Sequence, residues 1–380
     1  MTMTWRAAGS ALALCAFAAG CAGSSATSGG DSWRALSERT VLLSVVWRTD
    51  LSTQGGLTAY DVERGGVAAG AGIVLVATSE GGLVGLDARS GEERWRQREP
   101  AESYAAQPVV SDTVAYVPGP DGVLRALDAS SGAARWSQAL GSPIHAAPTV
   151  TDDLVCVHAT GGTVRLLDRD GGAVVAEYTH SGTTQLAVSG DSPCTIVGNE
   201  IYVGFADGSL ASFERDGRQR WLVDVAGGAD RLLDVDTRPL VLDDTVIAGS
   251  FQGGLVAFSR SSGARQWEVP LIGASSPIYA AGAVVTTTAA GSVVWIDANT
   301  GIVRYELQLN ATTAQAPVHI GELLYISTPR GVFLVDAAVP WVYHRFDPGE
   351  PVTTLPATDG HRLFVLSDTG VVYALELREF

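Results

Sequence analysis

The chain has 380 residues, of which 46% are hydrophobic, only 17% are charged and 44 are glycine. This composition is typical of a turn-dense β protein, and the length is compatible with a single closed domain. The formal net charge of −16 argues against nucleic-acid binding, because phosphate contacts require clustered Lys and Arg side chains.

Residues 1–20 have the features of a targeting segment that is not part of the fold. Arg6 supplies a positive start, residues 7–19 form an apolar run, and small residues precede Cys21. This end resembles a bacterial lipobox, although Ala18 stands where that pattern prefers Leu. We expect removal of residues 1–20 and acylation of Cys21, which would anchor the chain to a membrane. An ordinary secretory signal is the alternative, and the run is too short for a spanning helix.

Residues 21–40 are rich in Gly, Ser and Ala, which is typical of a flexible tether. No acidic residue follows Cys21 directly, and this resembles the default address to the outer membrane, on its periplasmic face. We therefore predict three segments: the signal over 1–20, the tether over 21–40 and a folded domain over 41–380.

The rest of the chain repeats one pattern. Asp87 is followed by Gly91 and Trp95, and Asp128 is followed at the same spacing by Gly132 and Trp136. A repeat of about 40 residues with short alternating strands is typical of a β-propeller blade. We predict an all-β fold of eight four-stranded antiparallel blades, with anchors at Asp87, Asp128, Asp168, Glu214, Ser259, Asp297, Asp336 and Glu376.

Each anchor has a structural interpretation. An Asp side chain can accept a hydrogen bond from the backbone two residues on, and Gly can adopt a positive φ, so the pair predicts a tight turn between the two outer strands. We expect the aromatic residue that follows to pack between neighbouring blades and not to take part in catalysis.

The two ends of the domain predict how the ring closes. Glu376 is too close to the C-terminus for an outer strand to follow it, whereas Trp47 lies in an N-terminal strand with no anchor before it. We predict that the N-terminal strand completes the last blade, which removes the open sheet edges of a linear array.

Candidate chemistry is sparse. The six histidines show no zinc-ligand spacing, and we predict no metal, cofactor or catalytic site. Asp234 and Asp236 flank Val235, which would put two carboxylates on one side of an extended segment. That spacing is compatible with Ca²⁺ ligation, with recognition of a basic partner, or with capping of a turn. Cys156 and Cys194 fall in neighbouring repeats. Either a disulfide between blades or two free thiols is compatible with this spacing.

Residues 230–239 read Asp-Arg-Leu-Leu-Asp-Val-Asp-Thr-Arg-Pro, and the next repeat continues Gly-Gly-Leu-Val-Ala-Phe-Ser. This looks like the BamB family, the lipoprotein subunits of the outer-membrane β-barrel assembly machinery, over about residues 41–380. The resemblance implies a non-enzymatic periplasmic scaffold that binds BamA and assists barrel insertion, with unfolded barrel proteins as a further partner. Quinoprotein dehydrogenases share the repeat and are the enzyme alternative, but many carry adjacent cysteines that this chain lacks. A generic envelope adaptor is the other alternative.

The resemblance also implies a binding surface. The repeats that end at Glu214 and Ser259 are longer than the period, and the surplus lies near residues 179–193 and 223–233. In the family, the matching loops bind BamA. By position, Leu186 and Val188 match its apolar contacts, and Asp234 and Asp236 match its acidic pair. Ser189 stands where the family has an arginine, so Arg231, Arg238 or a changed partner would have to compensate.

Overall fold

The second and third strands of each repeat are the most apolar parts of the chain and form the core of each sheet. In the first repeat every residue of Ile73–Ala77 is buried, and Gly82–Asp87 is buried up to its final Asp. The computed structural model describes residues 41–52, 66–78, 82–98, 104, 106–182, 192–227 and 233–379. The predicted signal and tether, with Cys21, lie outside these residues.

Eight four-stranded antiparallel sheets are present in the described residues, which confirms the predicted all-β, eight-bladed propeller. Blades 1 to 4 consist of β2 to β17: Gly66–Gly70, Ile73–Ala77, Gly82–Asp87, Glu93–Arg98; Val109–Ser111, Val114–Pro118, Val123–Asp128, Ala134–Ala139; Thr149–Val150, Leu154–Ala159, Thr163–Asp168, Val174–Thr179; Thr195–Val197, Glu200–Gly204, Ser209–Glu214, Gln219–Asp224.

Blades 5 to 7 follow the same order, from the inner strand to the outer strand, and blade 8 combines both ends of the chain. Their strands are β18 to β32 with β1: Leu240–Leu242, Thr245–Ser250, Gly254–Ser259, Arg265–Val269; Ile278–Ala280, Ala283–Thr287, Ser292–Ile296, Val303–Gln308; Val318–Ile320, Leu323–Thr328, Gly331–Asp336, Val342–Phe346; Ala357–Thr358, Arg362–Leu366, Val371–Glu379 and Val41–Asp50.

The N-terminal strand closes the ring, as predicted. β1 lies antiparallel to β32 with Ser44 opposite Glu376, and the order in this blade is β1-β32-β31-β30. The N-terminal strand β1 is therefore the outer strand of blade 8. It pairs with the third strand, β32, whose edge would otherwise be open.

The anchor turns also have the predicted chemistry. The Asp87 carboxylate accepts hydrogen bonds from the backbone N–H groups of Arg89 and Ser90, both at 2.9 Å. Gly91 has φ of 75°, and a Cβ atom there would lie 2.5 Å from the Trp47 ring. Glycine is therefore required both for the backbone conformation and for the close approach of the indole.

Each outer-strand tryptophan reaches the next blade, which confirms the packing prediction. Trp47 Nε1 donates to the Ala88 carbonyl at 3.0 Å, so the closing contact of blade 8 on blade 1 matches the others. The equivalent donors and acceptors are Trp95 to Ala129, Trp136 to Arg169, Trp221 to Arg260 and Trp267 to Ala298.

Blade 6 departs from this arrangement. Tyr305 occupies the usual aromatic position but is 40% exposed. Trp295, on the neighbouring third strand, is fully buried and donates to the Ala337 carbonyl at 2.8 Å. The contact between blades is kept, but a different strand supplies it.

The propeller has two chemically different ends. One end, here called the turn face, carries the turns between the first and second and between the third and fourth strands. The opposite end, the connection face, carries the turns between the second and third strands and the connections between blades. At the hub, β2 contacts β6 and β30. Among the described residues, no helix is long and apolar enough to cross a membrane.

A candidate partner-binding face

Two long connections leave blades 3 and 4 at the connection face. Residues 180–194 join β13 to β14 and residues 225–239 join β17 to β18, whereas residues 270–277 suffice between β21 and β22. Long connections repeated at one end of a rigid scaffold are typical of a binding surface. Leu186, Val188, Ser189 and Arg231 lie outside the described residues, so their assignment to this surface stays a prediction.

The segment that contains Val235 is held against the turn of blade 4. Val235 N donates to the Phe205 carbonyl at 3.1 Å, and the Val235 side chain is fully buried. Gly204 leaves no room for a side chain, because a Cβ atom there would lie 2.2 Å from Val235 Cγ1. The end of the second long connection is thus fixed in place at Val235 by blade 4 before the chain enters blade 5.

The two predicted acidic residues occupy different environments. Asp234 is fully buried, and its carbonyl accepts a hydrogen bond from Phe251 N at 3.4 Å. Asp236 is partly exposed. The pair therefore does not present two equivalent carboxylates to a partner, and Asp236 is the one that solvent and a partner can reach.

Asp236 is an electrostatically costly carboxylate. Burial raises its pKa to about 6, and the neighbouring Asp234 carboxylate adds to the effect. No Lys or Arg side chain in the described part of the chain contributes to this pKa. A carboxylate in this setting gains from an incoming cation more than a well-paired one does.

A second polar pair lies beside the same turn. His180 Nε2 is 2.6 Å from Asp207 Oδ2, and the His180 ring packs 4.6 Å from the Phe205 ring. Burial alone would raise the pKa of Asp207, but hydrogen bonds from His180 and from Ser209 outweigh it and hold this pKa below its usual value. Sequence patterns could not pair these residues, because His180 comes from the connection after blade 3 and Asp207 from the turn between the second and third strands of blade 4.

Two apolar residues extend the face toward blade 6 and have no signature in the sequence. Phe251 lies in the turn after β19, and its carbonyl accepts a hydrogen bond from Gly273 N at 2.8 Å. The adjoining Ile272 is 67% exposed. Together with the partly exposed Asp236, this Ile gives the connection face both apolar and acidic character, which suits a partner with apolar and basic groups.

The cysteines brace the start of blade 4. Cys156 in β11 and Cys194 form a disulfide with their Cα atoms 6.3 Å apart. The bond ties the end of the first long connection to blade 3. Among the described residues, no group of three or more His, Cys, Asp and Glu side chains could hold a metal ion.

Comparison with known proteins now defines the family. The profile described as outer membrane protein assembly factor BamB matches residues 25–133, 100–304 and 261–378. The chain belongs to the BamB family.

Named relatives support this assignment. The outer membrane protein assembly factor BamB of Yersinia pestis is 25% identical over 350 residues, covering 87% of this chain and 76% of that protein. The BamB of Legionella pneumophila is 25% identical over 205 residues, covering 52% of this chain. The chain spans about half the length of that relative, at 53%.

Solved structures show the same architecture. BamB from Moraxella catarrhalis superposes with a TM-score of 0.74 at 24% identity, covering 88% of this chain and all of that one. A quinohemoprotein alcohol dehydrogenase from Pseudomonas putida superposes with a TM-score of 0.67 at 13% identity, covering 88% of this chain and 76% of the dehydrogenase. These two likenesses establish the propeller fold and nothing about chemistry.

Proposed function

We propose that this chain is a non-enzymatic periplasmic scaffold that binds a BamA-type core subunit and assists the assembly and insertion of β-barrel outer-membrane proteins. Membership of the BamB family supports the role in assembly. Unfolded barrel chains are a second proposed partner. The apolar segment that ends at Cys21 supports a lipid anchor on the periplasmic face of the outer membrane.

The proposal rests on the environment of the Asp236 side chain. This carboxylate is held at a raised pKa beside the buried Asp234, at the junction of a long connection with blade 5. A Lys or Arg of the partner would relieve the lost hydration and make a charge-assisted hydrogen bond. Asp234 is fully buried and so cannot contact the partner itself. Its role in the proposal is to hold the segment that carries Asp236.

Apolar contacts surround this charge in the proposed interface. Phe251 bonds through its backbone to Asp234 and to Gly273, which follows Ile272. We propose that Phe251 and Ile272 supply the apolar contacts toward blade 6, and that Leu186 and Val188 supply those toward blade 3. A central contact of this type, with apolar neighbours that exclude water, is a common arrangement of interface hot spots. Ser189 stands where the family has an arginine. We therefore propose that this chain supplies the acidic group of the contact, Asp236, and that the partner supplies the basic group.

Co-purification with the barrel-assembly core tests the surface. We expect the Asp234→Lys/Asp236→Lys double variant to lose the partner. Because a lysine at the buried position 234 would also disturb folding, the single variant Asp236→Lys is the more specific test. Asp244→Lys is its matched control, since Asp244 is an exposed residue of the same blade on the turn face. Equal recovery of the partner with Asp236→Lys and Asp244→Lys would show that the proposed surface is wrong.

Crosslinking identifies the partner directly. Photoreactive groups at positions 188 and 236 in intact cells should capture the BamA-type subunit. Capture of an unrelated envelope protein from both positions would favour a generic adaptor instead.

The lipid anchor has its own test. The Cys21→Ser variant should move from the membrane fraction to the soluble periplasm, because acyl chains would no longer hold it on the bilayer. A variant that remains in the outer-membrane fraction after a high-salt wash would contradict lipidation at Cys21.

A quinone-dependent oxidoreductase is the alternative that the shared propeller fold leaves open. Titration with pyrroloquinoline quinone, followed by absorbance, separates the two functions. Saturable stoichiometric binding together with dye-linked alcohol oxidation would support the enzyme and contradict the scaffold.

A further inference from the structure

One arginine at the hub links four consecutive blades. Arg238 precedes the inner strand of blade 5, and its backbone N–H donates to Ser276 Oγ of blade 6 at 2.8 Å. Its Nη1 donates to Thr149 Oγ1 of blade 3 at 2.7 Å and to the Cys194 carbonyl of blade 4 at 2.9 Å. The side chain can reach from blade 5 to blades 3 and 4 only where the inner strands converge, so the guanidinium lies at the mouth of the central channel.

The inner strands around this point are accessible to water. Every residue of β14 and of β18 is partly exposed, as are both residues of β10. Arg238 is itself partly exposed. A small solute that enters the channel from the connection face can therefore reach the guanidinium.

The charge of Arg238 is not balanced by a carboxylate within the described chain. Both acceptors of its Nη1 are neutral, a hydroxyl and a carbonyl oxygen. Arg260 is a clear contrast, because its Nε lies 2.6 Å from Glu200 Oε2. Burial lowers the pKa of Arg238, but a guanidinium remains charged at neutral pH. A partly desolvated cation of this kind is unfavourable unless an anion joins it.

The repeat itself does not require a cation here. In five of the seven other blades a proline directly precedes the inner strand, and the residue before that proline is neutral: Gln107, Ala147, Ser276, Ala316 and Leu355. Arg238 is thus one cation added to a ring of neutral positions, at the place where all blades meet.

We propose that the channel mouth is a binding site for one small oxyanion, a carboxylate or a phosphate group, held by Arg238. The Nε and Nη2 groups make no hydrogen bond within the described residues and remain available as a fork, which matches the two oxygens of such an anion. Thr149 and Cys194 fix the other side of the guanidinium and so orient this fork. The site goes beyond the proposed scaffold role and does not depend on it.

The test is a titration of the full-length protein at constant ionic strength, with chloride as the reference anion. Inorganic phosphate and acetate are the free-anion probes, and a short neutral peptide with a single Glu is the peptide probe. The readout is the NMR signal of arginine Nε–H groups. We expect a saturable shift of the Arg238 signal with at least one of these probes. Saturation by free anions points to a solute site, whereas saturation by the Glu peptide alone points to a peptide carboxylate.

Variants assign the binding to the guanidinium. Arg238→Gln should weaken anion binding by roughly tenfold or more, and Arg238→Lys should bind with intermediate strength because it keeps the charge but loses the fork. Arg304→Gln is the matched control, because Arg304 is an exposed arginine paired with Asp297 on the turn face. If no probe gives saturable binding to the parent, or if Arg238→Gln binds as tightly as the parent, the site does not exist. The Nε–H titration of the parent decides the matter even where a variant fails to fold.

Discussion

Asp87 on the turn face and Asp236 on the connection face of this propeller have opposite electrostatics. On the turn face, the hydrogen bond from Arg94 and the backbone N–H groups of the turn lower the pKa of Asp87 to about 2. On the connection face, burial raises the pKa of Asp236 to about 6. The carboxylates of the repeated turns are paired within their own blade, whereas the connection between blades 4 and 5 keeps a carboxylate that no Lys or Arg of the described residues pairs. Such a contrast is expected where one region is selected for stability and the other for contact with a partner.

Other contacts on the turn face follow the same rule. Arg260 reaches from blade 5 to Glu200 of blade 4, and Arg362 reaches from blade 8 to the Ala88 carbonyl of blade 1 at 3.0 Å. Both contacts join neighbouring blades, and each arginine has a partner, a carboxylate for Arg260 and a carbonyl oxygen for Arg362. The turn face therefore contributes ring stability, and the connection face between blades 3 and 6 carries the less satisfied groups.

The largest effect is expected from the closing contact. Trp47→Ala removes a buried indole and its hydrogen bond to blade 1, so we expect a loss of about 3 to 5 kcal/mol in the free energy of unfolding, measured by urea denaturation. Tyr305→Ala is the control at the corresponding position of blade 6. Because Tyr305 is 40% exposed, its loss should be about 1 kcal/mol or less. Equal losses would show that the ring is not closed by this contact.

Removal of the unsatisfied charge should stabilise the protein while it harms binding. Asp236→Asn should raise the free energy of unfolding near neutral pH by roughly 1 to 3 kcal/mol, because the neutral amide avoids the cost of a desolvated charge. The same variant should recover less BamA-type partner in co-purification. Asp87→Asn should have the opposite effect on stability, since it breaks the pair with Arg94. An Asp236→Asn protein that is less stable than the parent would contradict the assigned environment.

The pH dependence gives a smaller and graded effect. Some carboxyl groups have a higher pKa in the folded protein than in the unfolded chain. Such a group lowers the free energy of unfolding only at pH values at which it is ionised in the unfolded chain. The advantage of Asp236→Asn should therefore be full above about pH 6 and should disappear as the pH falls toward the ordinary value of 3.8. Partner binding by the parent should weaken as the pH falls through about 6, because protonation removes the negative charge. Urea denaturation and partner capture across this range check both statements, and a pH-independent difference between parent and variant would be inconsistent with them.

The smallest effect on stability is expected from an exposed apolar residue. Ile272→Asp should change the free energy of unfolding by about 0.5 kcal/mol or less but should reduce partner capture. Ile302→Asp is a close control, because Ile302 is 65% exposed, against 67% for Ile272, and lies on the turn face. Reduced capture by both variants would mean that the partner does not distinguish the two faces.

The repeated elements could be predicted in detail. The spacing from Asp87 to Gly91 and Trp95 correctly predicted the turn, the positive φ and the packing between blades. The isolated strand around Trp47 predicted the closure. These features depend on local turn chemistry and on a constant period, so a linear pattern contains the information that defines them.

The exception in blade 6 could not be predicted from the spacing of the repeat. Tyr305 matches the repeat, yet Trp295 makes the contact with blade 7, because the third strand of blade 6 has an indole that reaches the same carbonyl. The repeat spacing selects Tyr305, and only packing shows that Trp295 makes the contact instead.

The sequence by itself determined the number of blades, the turns and the closure of the ring, because these follow from short-range preferences repeated at a fixed period. Only the tertiary structure decided that Asp234 is buried while Asp236 is accessible, that His180 meets Asp207, and that Arg238 reaches Thr149, 89 residues away in the chain. Burial and charge pairing depend on which distant segments converge at one point, and neither composition nor spacing encodes that convergence directly.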